Sequence, residues 1–439
     1  MERQSASFKL LARLNVRPRE AQVLLVAWLY VVTLFMAYYM LRPLRDEIGA
    51  AGGVRNLPWL FVGTLGAMLA LSPLFGALVQ RWPREKFIAL SYRFFALHLL
   101  IFAAIFGSAD AAARAVWAER IFFIWVSVFN LFVVSVFWSL MSDVFTSDQG
   151  KRLFGILAAG ATVGGIIGPA LVKVLAGRVA HWQLLLLAAV LLEAAVHMAR
   201  RVSRLGGGQD AAAGAGAEKK EGEKEKKIGG SAWAGLQRTL RSPYLLGISA
   251  FILLYSITST LLYFQQAEIV NANFTDRGAR TAFFAQIDLW VNSLTLGFQL
   301  FITGRLMQRL GIAVTLGALP LVSMAGFGLL ATYPILSVFV LVQVGRRVSN
   351  FALARPSREV LFTQAPREDR YKAKNFIDTV VYRSGDQIGA WGYAGLSSGL
   401  GLTLSAISWL AVPLCFVWLL LALWLGRTAR GGVQNSNNT

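Results

Sequence analysis

Apolar residues run along this chain in blocks of about twenty, the length that crosses ~30 Å of hydrocarbon as a helix. Short polar or basic segments separate the blocks. The pattern predicts twelve spans, at 21–41, 57–79, 87–107, 116–142, 153–175, 180–200, 244–268, 281–304, 311–332, 334–354, 376–398 and 404–426. The expected fold class is therefore an all-α polytopic membrane protein. The leader MERQSASFKLLARLNVRPRE is basic and polar and reads as a cytoplasmic tail, not as a cleavable signal.

One stretch breaks the pattern differently. Between spans six and seven, LGGGQDAAAGAGAEKKEGEKEKKIGGS (205–231) is rich in Gly and Ala, then alternates Lys with Glu and has no apolar face. Such a segment cannot offset the entropy of ordering and is expected to be a flexible cytoplasmic linker. The expected organisation is an N-terminal six-helix bundle (1–204), a linker (205–235) and a C-terminal six-helix bundle (236–439). Six spans on each side of a cytoplasmic linker is the arrangement of a major facilitator transporter. A weak internal repeat agrees with it. Glu47-Ile48 recurs as Glu268-Ile269, 221 residues later, and the same shift carries Gly164 and Gly168 onto Gly385 and Gly389.

Charge fixes the expected orientation. Lys and Arg concentrate in 81–86, 151–152, 200–241, 355–374 and the C-terminal tail, while 333–334 and 399–403 hold none. By the positive-inside rule both termini are cytoplasmic. The net charge of +20, in a chain that is 56% hydrophobic with a mean hydropathy of +0.55, is then mostly topological and does not indicate nucleic acid. Lone Cys415 leaves no disulfide and no thiol metal cluster, and no cofactor is expected.

Ionisable residues at membrane depth are costly unless they face a wet cavity or a partner. On YYMLRPLRDEIG (38–49), Tyr38, Arg42, Arg45 and Asp46 fall on one face of the first span. Asp288, Asn292, Thr295 and Gln299 form a polar stripe on the eighth, and Asp378, Tyr382 and Asp386, with Arg383, form one on the eleventh. These faces are expected to line a central aqueous cavity. Arg93, Glu119–Arg120 and Glu193 read instead as structural ion pairs, Arg346–Arg347 as an interface anchor, and His98 and His197 as helix-face residues without a local partner. Gly160 and Gly164 have the spacing that lets helices approach closely. GALVQRWPREK (76–86) reads as a weak relative of the cytoplasmic latch loop of facilitator proteins.

Three segments carry a family resemblance: LRPLRDEIG (41–49), FWSLMSDVFTSDQGKRLFGILAAGATVGGIIG (137–168) and SREVLFTQAPREDRYKAKNFIDTVVYRSGDQIGA (357–390). In this order they resemble the ATP:ADP antiporters, the nucleotide transporters of plastids and intracellular bacteria. The resemblance implies exchange of adenine nucleotides, with basic side chains neutralising phosphates. It places Arg45 at a functional lysine, with Asp46 beside it, and Asp143 at an acidic residue of the fourth helix. Lys374, Asp378 and Arg383 match the third motif. Asp386 departs from it, standing where the family has a lysine, so the substrate is expected to be a small anion that is not necessarily a nucleotide.

The expected function is secondary transport of such an anion by alternating access. Arg42, Arg45, Asp46, Asp143, Lys374, Asp378, Arg383 and Asp386 are the candidate binding residues. Tyr38, Asp288, Asn292, Gln299 and Tyr382 are the candidate cavity lining. Transport would be exchange or proton-coupled, with Asp143, Asp378 or Asp386 carrying the proton. Asp46 and Glu47 are expected to hold the arginines or to pair across the halves, for example with Arg383. The other readings are a carrier of an amphipathic or lipid-like molecule and a non-transporting receptor on the same fold. The chain has no Ser-His-Asp set, metal cluster or nucleotide-hydrolysis loop that would make it an enzyme.

Overall fold

A computed structural model describes the backbone of residues 16–81, 84–108, 112–213, 237, 239–240, 242–363, 373–374 and 376–436. Side chains are described for all of these except 72–81, 84–86, 112–115, 147, 151, 207–213 and 430–436. Every described element is helical. The helices are α1 (Ala21–Ala51), α2 (Leu57–Arg81), α3 (Arg84–Gly107), α4 (Ala112–Val144), α5 (Ser147–Leu175), α6 (His181–Ala213), α7 (Pro243–Asn273) and α8 (Arg277–Phe298). They continue with α9 (Gly304–Thr332), α10 (Leu336–Ser349), α11 (Arg355–Thr363), α12 (Tyr382–Ala394) and α13 (Leu404–Ser436). Among the described residues nine helical segments are long and apolar enough to cross a membrane, one of them the 56-residue run Arg277–Thr332.

That run differs from the expected pattern. The segment 305–310, expected as a loop, is helical, and the chain turns at Gly311, whose φ of 77° is open to glycine at little cost. The cytoplasmic connection expected from residue 355 likewise begins as helix α11, and 364–372 lie outside the described residues. Helix α6 extends to Ala213, into the Gly/Ala-rich stretch, while 214–236 lie outside the described residues. The side chains of 76–86 lie outside them too.

Four one-turn π-helical segments, Gln299–Thr303, Asn350–Ala354, Ile377–Val381 and Gly395–Gly399, interrupt the second half. A π turn releases backbone carbonyls from the regular ladder. Two of these turns are stitched together through such groups. Thr303 Oγ1 donates to Ala352 O at 2.9 Å, and Gln299 Nε2 donates to Phe351 O at 3.2 Å.

The helices form two compact units. The first comprises residues 1–48, 63–220 and 276–289, so the start of α8 packs with the N-terminal helices. The second comprises 49–62, 221–275 and 290–439. Each contains a close helix pair made possible by glycine. In the first unit, a side chain at Gly164 would come within 2.4 Å of Val32 O, and one at Gly168 within 2.7 Å of Met36 O. In the second, a side chain at Gly385 would come within 3.0 Å of Leu253 O, and one at Gly389 within 3.0 Å of Ile257 O. All four glycine–carbonyl contacts keep the 221-residue offset read from the sequence, because α5 on α1 and α12 on α7 use the same register of small residues.

Candidate functional site

The charged end of α1 is folded into a network with α4 and the start of α8. Arg42 Nη1 lies 3.3 Å from Asp288 Oδ1, and Arg42 Nε lies 4.0 Å from Asp46 Oδ2. Arg45 bonds Asp46 Oδ1 at 3.2 Å, donates to Phe123 O and places its guanidinium 4.0 Å from the centre of the Phe123 ring. Asp46 therefore does hold the arginines. Glu47 has no exposed surface and is gripped by Arg277, with Nε and Nη2 at 3.2 and 3.0 Å, and by Arg280 Nη2 at 2.9 Å. Arg277 also reaches Glu119 Oε1 at 2.7 Å. Two-pronged guanidinium–carboxylate contacts of this kind are strong and directional. Tyr38, half-buried, meets Tyr39 edge-on in the same helix.

The second unit holds a different cluster. Asp386 is buried and accepts from Ser256 Oγ at 2.6 Å, Thr260 Oγ1 at 3.3 Å and Arg383 Nη1 at 3.1 Å. Arg383 is thus paired within its own helix, not with Asp46 or Glu47 as expected. Glu47 pairs with arginines from the start of α8, in its own unit. Ser256 also donates to the carbonyl of Tyr382, whose ring lies 6.0 Å from that of Tyr255. Lys374 bonds Glu359, and Asp378 pairs with Arg358 at 3.4 Å. Asn292 is buried, Gln299 is exposed and tied to Phe351, and Asp143 is exposed near the end of α4.

Arg346 corrects the sequence reading. It does not reach out to headgroups, for only 2% of it is exposed. Its guanidinium donates to Ser323 Oγ at 3.1 Å, Ser259 Oγ at 3.1 Å, Thr258 Oγ1 at 2.9 Å and Tyr255 O at 3.2 Å. Among the described residues no carboxylate pairs with it. Hydroxyls on two helices, α7 and α9, solvate the charge, a signal that a scan for Asp and Glu partners does not find. Asn350 completes the layer by donating to Tyr255 Oη at 3.0 Å.

Of the residues read as structural ion pairs, Arg93 bonds Glu193 through two nitrogens at 2.6 and 3.1 Å and Glu119 pairs with Arg277, whereas Arg120 lies over the Trp117 ring. His197, expected to lack a partner, has Nε2 3.3 Å from Glu193, one turn earlier in α6. His98 Nδ1 lies 2.7 Å from the carbonyl of Phe94.

A sequence profile of the Major Facilitator Superfamily matches residues 23–353. The chain belongs to that superfamily. It is therefore built as a secondary transporter, on a transport fold and not a catalytic one. Among curated proteins it is similar to ADP,ATP carrier protein 2 of Chlamydia pneumoniae, 20% identical over 91% of this chain and 87% of that protein. It is also similar to ADP,ATP carrier protein 1 of Chlamydia trachomatis, 24% identical over 71% of this chain and 65% of the relative. Among solved structures, the POT family transporter PepTSo superposes with a TM-score of 0.62 at 12% identity, covering 94% of this chain and 98% of that one. A bacterial homologue of the human lysosomal transporter Spinster gives 0.61 at 13% identity, covering 95% and 98%. The nucleoside transporter NupG gives 0.56 at 14% identity, covering 95% and 99%. At these identities the structures establish the fold alone.

Proposed function

We propose that this protein carries a small anionic solute, a nucleotide or another phosphorylated or carboxylated compound, across a bacterial inner membrane by alternating access. In this reading twelve spans form two six-helix bundles with both termini cytoplasmic. Arg42 and Arg45 on α1, with Arg383 on α12 and Lys374 before it, provide the cations that meet the solute.

The observation that carries the anion is Arg346. The α12 pair Arg383–Asp386 is neutral within itself. Arg346 adds one positive charge to the same polar layer, and no carboxylate among the described residues offsets it. A fixed excess of one sign inside a low-dielectric bundle raises the local concentration of the opposite sign. The names of the chlamydial relatives agree with an anionic cargo. In the α1 cluster the arginines are satisfied by Asp46 and Asp288, so binding an anion there means exchanging protein carboxylates for solute oxygens. Such an exchange suits a site that must release its cargo.

The experiment is a thermal-shift screen of the purified chain against ATP, ADP, inorganic phosphate and small organic acids, followed by uptake into proteoliposomes of whichever compound stabilises it. A ligand that binds the folded state raises the melting temperature by mass action. The reading predicts stabilisation by an anion that is lost in Arg45→Ala. Stabilisation by neutral compounds alone would sink it.

A further inference from the structure

We propose that Glu268 is the residue at which this protein takes up and releases a proton during transport. The inference rests on the transport reading and adds a second binding site to it, for a proton.

Most carboxylates placed on spans are neutralised. Asp46 and Asp288 face Arg42, Glu47 faces Arg277 and Arg280, Glu193 faces Arg93, and Asp386 faces Arg383. Asp378, a coupling candidate from the sequence, is held by Arg358. A carboxylate beside a guanidinium keeps its charge and resists protonation. Asp143, the third candidate, is exposed near the end of α4.

Glu268 differs. It lies on α7, half-buried, and its Oε1 accepts a 2.9 Å hydrogen bond from the hydroxyl of Tyr393 on α12. That neutral hydroxyl is its partner among the described residues, and no cation joins it. The groups on the elements packed around α7 are committed elsewhere. On α12, Arg383 and Asp386 bond each other. On α10, Arg346 bonds hydroxyls nearer the start of α7, and Gln343 donates to Gln266. On α13, Ser408 accepts from Gln265 Nε2, and residues 404–425 carry no charged side chain. Cys415 is buried on α13. Arg347 has a partner of its own, and it lies on α10 next to Arg346. Before α2, Arg55 is exposed and forms no ion pair with Glu268.

The internal repeat sharpens the point. Glu268 holds the position that Glu47 holds in the first half, in the last turns of its helix: Glu47 lies four residues before Ala51 and Glu268 five before Asn273. Glu47 meets two arginines there and Glu268 meets a tyrosine. One register thus carries a latched carboxylate in the first half and one free to change protonation in the second. Burial without a cation favours the neutral acid, and the Tyr393 hydroxyl supports the charged form once the proton leaves.

The full-length protein in lipid vesicles would be titrated by infrared difference spectroscopy from about pH 5 to about pH 9, a range in which an ordinary Glu has already ionised at the acid end. The expected result is a protonated-carboxyl band that titrates within this range, disappears in Glu268→Gln and persists in Asp386→Asn. In Tyr393→Phe its midpoint should move to higher pH, because the charged form loses a donor. A band unchanged by Glu268→Gln, or no band in the range, overturns the proton site. Proteoliposomes given ADP and, separately, inorganic phosphate test the coupling. Glu268→Gln should lose at least tenfold of uptake driven by a proton gradient and keep exchange. Wild-type uptake indifferent to the gradient would overturn the coupling role. If the wild type moves no anion at all, the transport reading fails, while the infrared titration still decides whether Glu268 binds a proton.

Discussion

Gly164 lies where any side chain would come within 2.4 Å of the carbonyl oxygen of Val32. The obstacle is backbone of α1 and cannot swing aside. Gly164→Ala is therefore expected to push α5 off α1 and to cost about 1–3 kcal/mol, the usual penalty for overpacking. Gly155, in the same helix, has open space at the corresponding point, so Gly155→Ala is the control and should be neutral or slightly stabilising. Thermal unfolding in detergent distinguishes the two. Equal melting temperatures for both variants would mean that the helices are not in close contact.

Glu47 is wholly buried between Arg277 and Arg280, the latter only 11% exposed, whereas the chemically similar pair Arg93–Glu193 is largely solvated. Removing one member of a buried pair leaves the other charged and desolvated, at about 3–5 kcal/mol. Glu47→Ala should lower the melting temperature far more than Glu193→Ala. The exchange Glu47→Arg with Arg280→Glu should recover part of the loss. No recovery in the double variant would mean that packing, not charge, sets the effect.

The sequence made the helices legible because a bilayer imposes one length and one polarity on every span. It also made the α5/α1 and α12/α7 register legible, since Gly164 and Gly385 keep a common offset. The pairing of the charges was not legible. Arg383 could have met Asp46 or Asp386 on spacing alone, and only the packing shows that Asp386, one turn along the same helix, is its partner. The setting of Arg346 is not legible because its partners are Ser, Thr and a backbone carbonyl, groups too common to signal a buried cation. The turn at Gly311 is not legible for a similar reason. A positive-φ glycine between two apolar helices looks like any other glycine in a membrane sequence.

The N-terminal approach to α1 has the sequence of a polar tail, yet Glu20 ties it to α5. Its carboxylate accepts from Arg152 at 2.9 Å, from Gln149 Nε2 at 3.1 Å and from the Arg17 backbone at 3.1 Å. Gln149 also completes a capping box with Thr146 at the start of that helix. Burial pulls the Glu20 carboxyl upward, but Arg152 and Gln149 together hold it below the ordinary value of 4.5. A group lowered on folding contributes stability above its unfolded value and loses it as pH falls through the folded one. The wild type should therefore lose stability below about pH 4.5, and Glu20→Gln should flatten that part of the profile. A profile with the same slope in both proteins would rule out Glu20 as its source.

Arg346 sets a magnitude for the anion preference. At about 10 Å and an effective dielectric constant of about 20, one charge contributes roughly 1.7 kcal/mol to holding a monoanion. That is on the order of fifteenfold in affinity. Arg346→Gln should weaken binding of the stabilising anion by about this factor and leave a neutral ligand unaffected. Arg346→Lys keeps the charge but cannot reproduce the four hydrogen bonds, so it should retain much of the affinity while lowering the melting temperature. If Gln and Lys variants bind the anion equally, the charge is structural only.

The Arg383–Asp386 pair predicts an asymmetry that tests its geometry. The arginine side chain is 29% exposed and the carboxylate 8%. Asp386→Asn frees a guanidinium that water can solvate, and an amide can still meet Ser256 and Thr260. Arg383→Ala instead leaves a desolvated carboxylate with two hydroxyls and no cation, the more costly of the two situations. Arg383→Ala should therefore destabilise more than Asp386→Asn, and lowering the pH, which lets the stranded carboxyl take a proton, should recover part of that loss. The double variant should lie near Asp386→Asn, since the carboxylate that made the single arginine deletion costly is gone. A double variant worse than either single one would mean that Arg383 and Asp386 stabilise the bundle through separate contacts, and the neutral pair invoked for the anion site would have to be abandoned.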